Sequence, residues 1–255
     1  MDGHPATRAA GLARIAAFRP HMGRAYAAQR NHDRGPGQRG NVSVLSPWLR
    51  RRLVLEEEVL SAALGAHGGA RSDKFVQEVI WRAYFKGWLE MRPAVWSDYR
   101  DAVGGIEPSE AIAAAEEGRT GLAAFDAWAQ ELTETGYLHN HARMWFASIW
   151  IFTLGLPWQA GADFFLRNLL DGDPASNTCS WRWVAGLHTP GKTYTARASN
   201  IAKYTEGRFP ETPGLAPRTV PVAGGNPPRG ALREPRAPDP DALLERNLGA
   251  LGATV

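Results

Sequence analysis

Four clusters in this chain combine residue types that can bind a charged ligand or stabilise charge developing in a reaction. The first couples Tyr26 and Arg30 with the run Val42-Ser43-Val44-Leu45-Ser46-Pro47. A serine-rich turn that feeds a proline-started helix presents hydroxyls and free backbone N–H groups at the helix's positive end, which suits a phosphate. Plain N-capping by Ser46 is the simpler reading of the same residues. The second cluster is Glu78-Val-Ile-Trp81-Arg82-Ala-Tyr-Phe85. Positions 78, 81, 82 and 85 share one face of a helix, so a carboxylate, an indole and a guanidinium point together. Glu78 and Arg82 could equally form a surface pair worth about 0.3 kcal/mol, although such a pair would not usually share its face with Trp81 and Phe85.

The third cluster is His139-Asn140-His141-Ala-Arg143-Met144. Asn140, Arg143 and Met144 fall on one face, whereas His139 and His141 point to different sides, so a metal pair is not expected. The fourth is Asp171-Gly172-Asp173-Pro174-Ala-Ser-Asn177, followed by Trp181-Arg-Trp183. Asp173-Pro174 reads as an N-cap with proline in the first turn. Asp171 has no such structural duty and is expected to form a buried ion pair with Arg143. A calcium loop is excluded, because Pro174 interrupts it and its twelfth position is Arg182 rather than glutamate.

The elements that carry these clusters read as helices almost throughout. Apolar residues recur at three- and four-residue spacing over residues 7–28, 55–64, 74–91, 109–117, 121–135, 140–154 and 160–170. Ser46-Pro47 opens a further helix toward Leu53, and Ser72 or Asp73 is expected to cap the helix that bears Glu78. No alternating strand pattern or internal repeat is present. Residues 31–41 and the chain after Phe209 read as low-order segments. Nine of the 18 prolines fall between Pro210 and Pro240, which excludes regular helix or sheet there and leaves an extended coil or a wrapped arm. Residues 241–251 could form a short terminal helix. The expected fold class is therefore all-α, with a helical domain over residues 1–209 and a Pro/Gly-rich tail over 210–255.

Composition narrows the function classes. A single cysteine, Cys179, excludes a disulfide framework, a cysteine-rich zinc module and a four-cysteine iron–sulfur cluster, and suits the cytoplasm. The most apolar run, residues 144–156, is too short to span a bilayer, and the N-terminal region lacks a secretory signal. Net charge is only +3, yet 25 of the 29 basic residues are arginine, the side chain whose donor fork fits phosphate. Ten tryptophans exceed what core packing requires.

Taken in order, the motifs resemble the photolyase/cryptochrome flavoproteins. They are Tyr-x-x-x-Arg, Ser-x-Leu-Ser-Pro, Glu-x-x-Trp-Arg, Thr120-Gly121 with Asp126, Gly136-x-x-His-Asn, Arg-Met, Asp-Gly-Asp-x-Ala-x-Asn and Trp-x-Trp. The resemblance runs from Tyr26 to Trp183, is expected to reach Phe209, and is to the C-terminal, helical FAD-binding domain alone. The N-terminal α/β domain that usually carries an antenna chromophore has no counterpart, so no antenna chromophore is expected.

What the resemblance implies can be placed residue by residue. Tyr26 and Val42, Ser43, Val44, Leu45 and Ser46 would hold the FAD pyrophosphate, with Val42 standing where the family often has threonine. Arg82, Asn140, Arg143, Asp171, Gly172 and Asp173 would surround the cofactor, Arg143 pairing Asp171 beside the isoalloxazine, and Asn177 would face flavin N5. An amide there adds no negative charge beside a reduced anionic flavin. Glu78, Trp81, Asn140, Met144 and Trp183 match a pocket for cyclobutane pyrimidine dimers, with Glu78 stabilising the dimer that accepts an electron. Arg30 and Arg24 would bind DNA phosphates. Trp181 and Trp158 match an electron-transfer relay whose third place is held by Gly105, leaving Trp150, Trp145, Tyr99 or Trp96 as substitutes. His141 stands where many photolyases have arginine. The implied activity is that of a deoxyribodipyrimidine photo-lyase, light-driven repair of damaged DNA. The alternative is a blue-light photoreceptor or flavin redox protein without efficient repair. The Pro-rich tail or an oligomer would cover the side that the antenna domain otherwise occupies.

Overall fold

A computed structural model describes residues 5–230 of the chain; the expected terminal helix at 241–251 lies outside the described residues. Twelve α-helices and no strands are found among those residues. Helix α1 (Arg8–Phe18) starts at Thr7, whose Oγ1 accepts from Ala10 N at 3.2 Å, and buries Ile15 and Phe18. The single helix expected over 7–28 is interrupted: Pro20 sits in a 3-10 turn (Arg19–His21), and α2 (Arg24–Gln29) restarts after Gly23. Gly23 has φ −101° and ψ −135°, and a Cβ there would come within 2.6 Å of His67 Nδ1, so side-chain-free backbone is required at the break.

Helix α3 (Ser46–Arg50) corrects the capping expectation. Ser46 is the first helical residue, Leu45 occupies the cap position, and no side chain caps the helix. In α4 (Glu56–His67) the Glu58 carboxylate instead reaches back, Oε2 accepting from Leu55 N at 2.8 Å. Helix α5 (Gly69–Glu90) begins earlier than expected, so Ser72 and Asp73 lie inside it rather than capping it. Ser72 is buried, and its Oγ donates to Gly68 O at 2.7 Å. Helix α6 (Pro93–Gly104) has proline in its first turn and was not marked by the apolar periodicity.

Helices α7 (Glu110–Glu116), α8 (Ala123–Thr135), α9 (Asn140–Ser148), α10 (Trp158–Asn168), α11 (Pro174–Val184) and α12 (Ala198–Tyr204) complete the fold. Asp126 clamps the entry to α8, accepting from Thr120 N at 2.9 Å, Thr120 Oγ1 at 2.6 Å and Gly121 N at 2.9 Å. Helix α9 runs into one π-turn (Ile149–Thr153) before the chain reverses at Gly155.

Two main apolar cores result, besides a small cluster of Trp88, Val95 and Cys179. The larger lies among α8–α11, where Trp128, Trp145, Trp150 and Trp181 are fully buried and Phe125 stacks on Phe146 at 4.1 Å. The smaller unites α1, α3, α4 and α5 through Phe18, Met22, Trp48 and Phe75.

Among the described residues, segments 31–41 and 210–230 are irregular in shape and tied to the helical body by hydrogen bonds. Asp33 is 1% exposed: its N donates to Tyr204 O at 2.8 Å, and its Oδ2 accepts from Trp128 Nε1 at 3.0 Å. In the Pro-rich segment, Ala216 N donates to Thr153 Oγ1 at 3.1 Å, Val222 N to Ala185 O at 3.0 Å, and Gly230 N to Met91 O at 2.9 Å. Tertiary partners replace the ladders that proline forbids. No described helix is long and apolar enough to cross a membrane.

Candidate functional site

A cavity of about 820 Å³ opens between the two cores, within the size range of sites that enclose small molecules and cofactors. One wall comes from α2, the 42–46 turn and α5; the other comes from α9, the Asp171–Asp173 turn and α11. The structure brings together Tyr26, Arg30, Val42, Ser43, Val44, Leu45, Ser46, Glu78, Trp81, Asn140, Arg143, Met144, Asp171, Asp173, Asn177, Trp181 and Trp183 on its lining. Arg82, Gly172 and Trp158 do not line it.

Each exception has a physical reason. Arg82 is turned to the back of the wall, where its Nη2 lies 2.6 Å from Asp173 Oδ2 and its Nε lies 3.8 Å from Glu56 Oε1. It therefore does not pair with Glu78. The Gly172 carbonyl turns outward to accept from Arg50 Nε at 3.3 Å. Trp158 is buried at the start of α10, stacked on Tyr99 of α6 at 5.7 Å. Arg24, expected at the rim, is exposed but not on the lining.

The 42–46 turn is held from outside. Arg14 of α1 donates from Nε to Ser43 O at 2.6 Å and from Nη2 to Val42 O at 2.9 Å. With its carbonyls occupied from behind, the turn is left with the N–H groups of Ser43, Val44 and Leu45, none of which has a hydrogen-bond acceptor among the described residues. Val44 has φ +52°, a left-handed conformation that costs a β-branched residue of order 1–3 kcal/mol. Strain of that kind persists only where surrounding structure enforces it.

On the opposite wall, Asp173 Oδ1 caps α11 by accepting from Ala175 N at 3.1 Å and Ser176 N at 3.0 Å. The expected Arg143–Asp171 pair is present, Nη1 to Oδ2 at 3.6 Å, and Arg143 Nε also donates to Leu138 O at 2.8 Å. Asn177 donates from Nδ2 to Ala162 O at 2.7 Å, which leaves its Oδ1 as the acceptor on the cavity side. Ser176 Oγ is buried on the lining and has no protein partner.

At the mouth, Arg30 and Glu78 form an ion pair. Trp81, 46% exposed, meets Tyr84 edge-on at 5.1 Å, and Trp183 lies 5.7 Å from Tyr194.

Sequence reasoning missed several lining residues. Tyr137 lies in the wall beneath the Arg39 guanidinium, 4.3 Å from its ring centre, and burial pushes its phenol up to about 12. Its neighbours in sequence carry no signal of this. His141, which the sequence placed where many photolyases have arginine, lines the cavity; its Nδ1 contacts Asn31 O at 3.0 Å, its Nε2 contacts Tyr194 Oη at 3.2 Å, and burial lowers its pKa. His139, the α9 cap, accepts from His141 N at 3.1 Å, and burial holds its pKa down to about 4.

A helical body split by a cavity with phosphate-type donors at one end and a guanidinium–carboxylate pair at the other defines a dinucleotide-cofactor domain. The chain belongs to the family described as the FAD binding domain of DNA photolyase, which matches residues 75–210, more than half of it. FAD is the cofactor of this domain.

The chain is 36% identical over 184 residues to the deoxyribodipyrimidine photo-lyase of Streptomyces griseus, covering 67% of this chain and 39% of that one. Its fold resembles a bacterial class III photolyase from Agrobacterium tumefaciens, with TM-score 0.67 and 26% identity over 78% of this chain and 43% of the other. An archaeal photolyase from Sulfolobus tokodaii, solved with two FAD molecules, matches with TM-score 0.61 and 26% identity over 78% and 44%. The chain thus spans about two fifths of the length of each.

Proposed function

We propose that the protein is a light-driven, FAD-dependent DNA repair protein that splits cyclobutane pyrimidine dimers. The observation that supports this reading best is the continuity of the cavity. One lining joins the buried Asp171 and Asn177, with Arg143 beside Asp171, to the more exposed Glu78, Trp81, Met144 and Trp183. Bound FAD supplies light-activated one-electron chemistry. The chain's residues do the rest.

The free N–H groups of Ser43, Val44 and Leu45 and the Ser43 and Ser46 hydroxyls receive the pyrophosphate, with Tyr26 beside them. Ser176 Oγ offers a further unsatisfied polar group on the facing wall, so the donor set fits a dinucleotide. Arg143, fixed by Asp171 and the Leu138 carbonyl, sets a positive charge beside the flavin ring. Asn177 Oδ1 accepts from a protonated ring nitrogen without adding a charge. Asp173 holds the start of α11, and Arg82 steadies Asp173 from behind.

A dimer flipped out of DNA rests between Trp81 and Trp183. Glu78, oriented by Arg30, accepts from a base N–H and fixes the dimer's position, while Asn140 Nδ2 donates to the bases and stabilises the charge that the dimer gains. Arginines around the mouth contact phosphates, so affinity falls steeply with salt.

The test is illumination of the FAD-loaded protein under reducing conditions with an oligonucleotide that contains a defined dimer. Loss of dimers supports the proposal; a flavin-loaded protein that leaves every dimer intact rejects it. A second reading, a flavin photosensor or redox protein, is favoured by His141, which burial keeps neutral at the mouth. Intact dimers accompanied by light-dependent change of the flavin spectrum would support that reading.

A further inference from the structure

We infer that Tyr84 of α5 and His188 form a binding site for one unpaired nucleotide beside the lesion, so that the protein prefers damaged single-stranded DNA to damaged duplex. The inference rests on the DNA-repair reading above and names the form of DNA that the same mouth accepts.

Three of the six large apolar side chains exposed among the described residues, Ile80, Trp81 and Tyr84, lie together on α5. Ile80 and Tyr84 are one turn apart and share a face, and both Trp81 and Tyr84 line the cavity. Tyr84 remains 45% exposed. Its ring lies 5.1 Å from Trp81 at 86° and 6.3 Å from His188 at 82°, and Phe85 is tilted from it by 52°, so none of these neighbours stacks on it. An exposed apolar patch that continues a cavity marks a binding surface, and an aromatic ring on which nothing stacks offers a platform to a base.

His188 also lines the cavity. Neither of its ring nitrogens has a hydrogen-bond partner among the described residues, and Nδ1 is fully buried. Yet the residue is fixed on every side. Its N donates to Arg182 O at 3.1 Å, and its carbonyl accepts from Asn226 Nδ2 of the Pro-rich segment at 2.9 Å. Asn226 is held in turn, its Oδ1 accepting from Arg182 Nη2 at 2.9 Å. The ring sits 4.5 Å from Trp88 and 5.5 Å from Phe85. Burial, with Arg182 and Arg92 nearby, lowers the pKa of the imidazole. A neutral imidazole carries one donor and one acceptor, as the edge of a base does.

Charge identifies the occupant as a nucleic-acid strand. Residues 174–205 include no aspartate or glutamate but do include Arg182, Lys192, Arg197 and Lys203. Lys192 N donates to the carbonyl of Thr189, a lining residue, at 3.1 Å. Lys192 is exposed and forms no ion pair among the described residues, which leaves its ammonium free for a phosphate.

The dimer rests on Trp81, so a base on Tyr84 is the lesion's immediate neighbour in the strand. In a duplex that neighbour is stacked and paired and must first be pulled out. In a single strand it is already free.

The test measures, in the dark and at fixed salt, binding of the FAD-loaded full chain to fluorescent oligonucleotides that hold one defined cyclobutane dimer. The single strand should bind at least about tenfold more tightly than the same dimer in a duplex. An abasic residue on one flank of the dimer should weaken single-strand binding about tenfold, and on the other flank should not. Tyr84→Ala should weaken binding of the intact strand to the same degree and add nothing to the abasic loss. Tyr84→Phe, which keeps the ring, should bind as wild type does. His188→Ala should weaken binding, and His188→Asn, which keeps a donor and an acceptor, should restore it.

The strand and abasic comparisons need only the wild-type chain, so a variant that does not fold leaves the test decisive. Equal affinity for single strand and duplex, or abasic flanks that both bind as tightly as intact ones, overturns the inference. If such a protein still splits dimers in light, the repair reading stands. Strand preference with the abasic loss but no dimer splitting supports the inference and rejects repair alone. A flavin-loaded protein that binds none of the oligonucleotides overturns both.

Discussion

Arg82 Nη2 stands 2.6 Å from Asp173 Oδ2, and through this contact α5 of the smaller core is tied to the first turn of α11 in the larger one. The pair is an electrostatic contact off hydrogen-bond alignment, with side chains only 10% and 3% exposed. Asp173 meanwhile spends its other oxygen on capping α11, so one carboxylate sets both the helix start and the spacing of the cavity walls.

Removing the guanidinium leaves that buried carboxylate with the more distant Lys86 ammonium, 4.0 Å from Oδ2, as its remaining counter-charge. Arg82→Met is expected to destabilise the protein by about 3 kcal/mol and to lower its FAD content. Urea unfolding with flavin release checks this; a change within about 0.5 kcal/mol, the range of ordinary surface substitutions, would show that the pair carries no such weight.

A Cβ on Gly161 of α10 would fall 2.3 Å from Trp181 Cη2 and 2.9 Å from Trp150 Cδ2. Two fully buried indoles have no room to give way. Gly161→Ala should cost about 1–3 kcal/mol by overpacking and shift the Trp181 ring in the cavity wall. Thermal melting and tryptophan emission report the two effects separately; a variant identical to wild type in both would contradict the packing seen here.

His139 supplies the pH dependence. Burial holds its folded pKa down to about 4, below the ordinary value of 6.5, so the unfolded chain binds the proton more readily. Stability is therefore highest above about pH 6.5, falls as pH drops toward about 4, and levels off below that, with a loss of up to about 3 kcal/mol. His141 and His188, both lowered by burial, act in the same direction. His139→Asn, which retains a capping side chain, should flatten the profile without abolishing it. Denaturant unfolding at about pH 7 and about pH 5 reads the slope, and an unaltered slope in the variant would place the titration elsewhere.

Arg30 bears on DNA affinity. If it contacts a phosphate at the mouth, Arg30→Ala should weaken binding uniformly across sequences and reduce the slope of log K against log salt by about 1. Binding to damaged and undamaged oligonucleotides over a salt series measures this. An unchanged slope would restrict Arg30 to orienting Glu78.

Features that depend on residues a few positions apart were legible in the chain itself. The helical class, the Asp173-Pro174 cap and the shared faces of Asn140, Arg143 and Met144 follow from helix geometry over one or two turns, whereas the motifs of the flavin domain were legible through their resemblance to a known family. The Arg143–Asp171 pair was also readable, because Asp171 had no local duty to explain it.

Partner choice over longer separations was decided only by the packed structure. Glu78 had a local candidate in Arg82 at i+4, but it pairs with Arg30, 48 residues away, and Arg82 turns to Asp173. Arg14 pins the 42–46 turn from α1, Tyr137 enters the wall beneath Arg39, and the Pro-rich segment finds acceptors on Met91 and Ala185. Local spacing limits which side chains share a helix face. Which face meets which is settled when two separate cores close around one cavity, and that closure is a property of the whole chain.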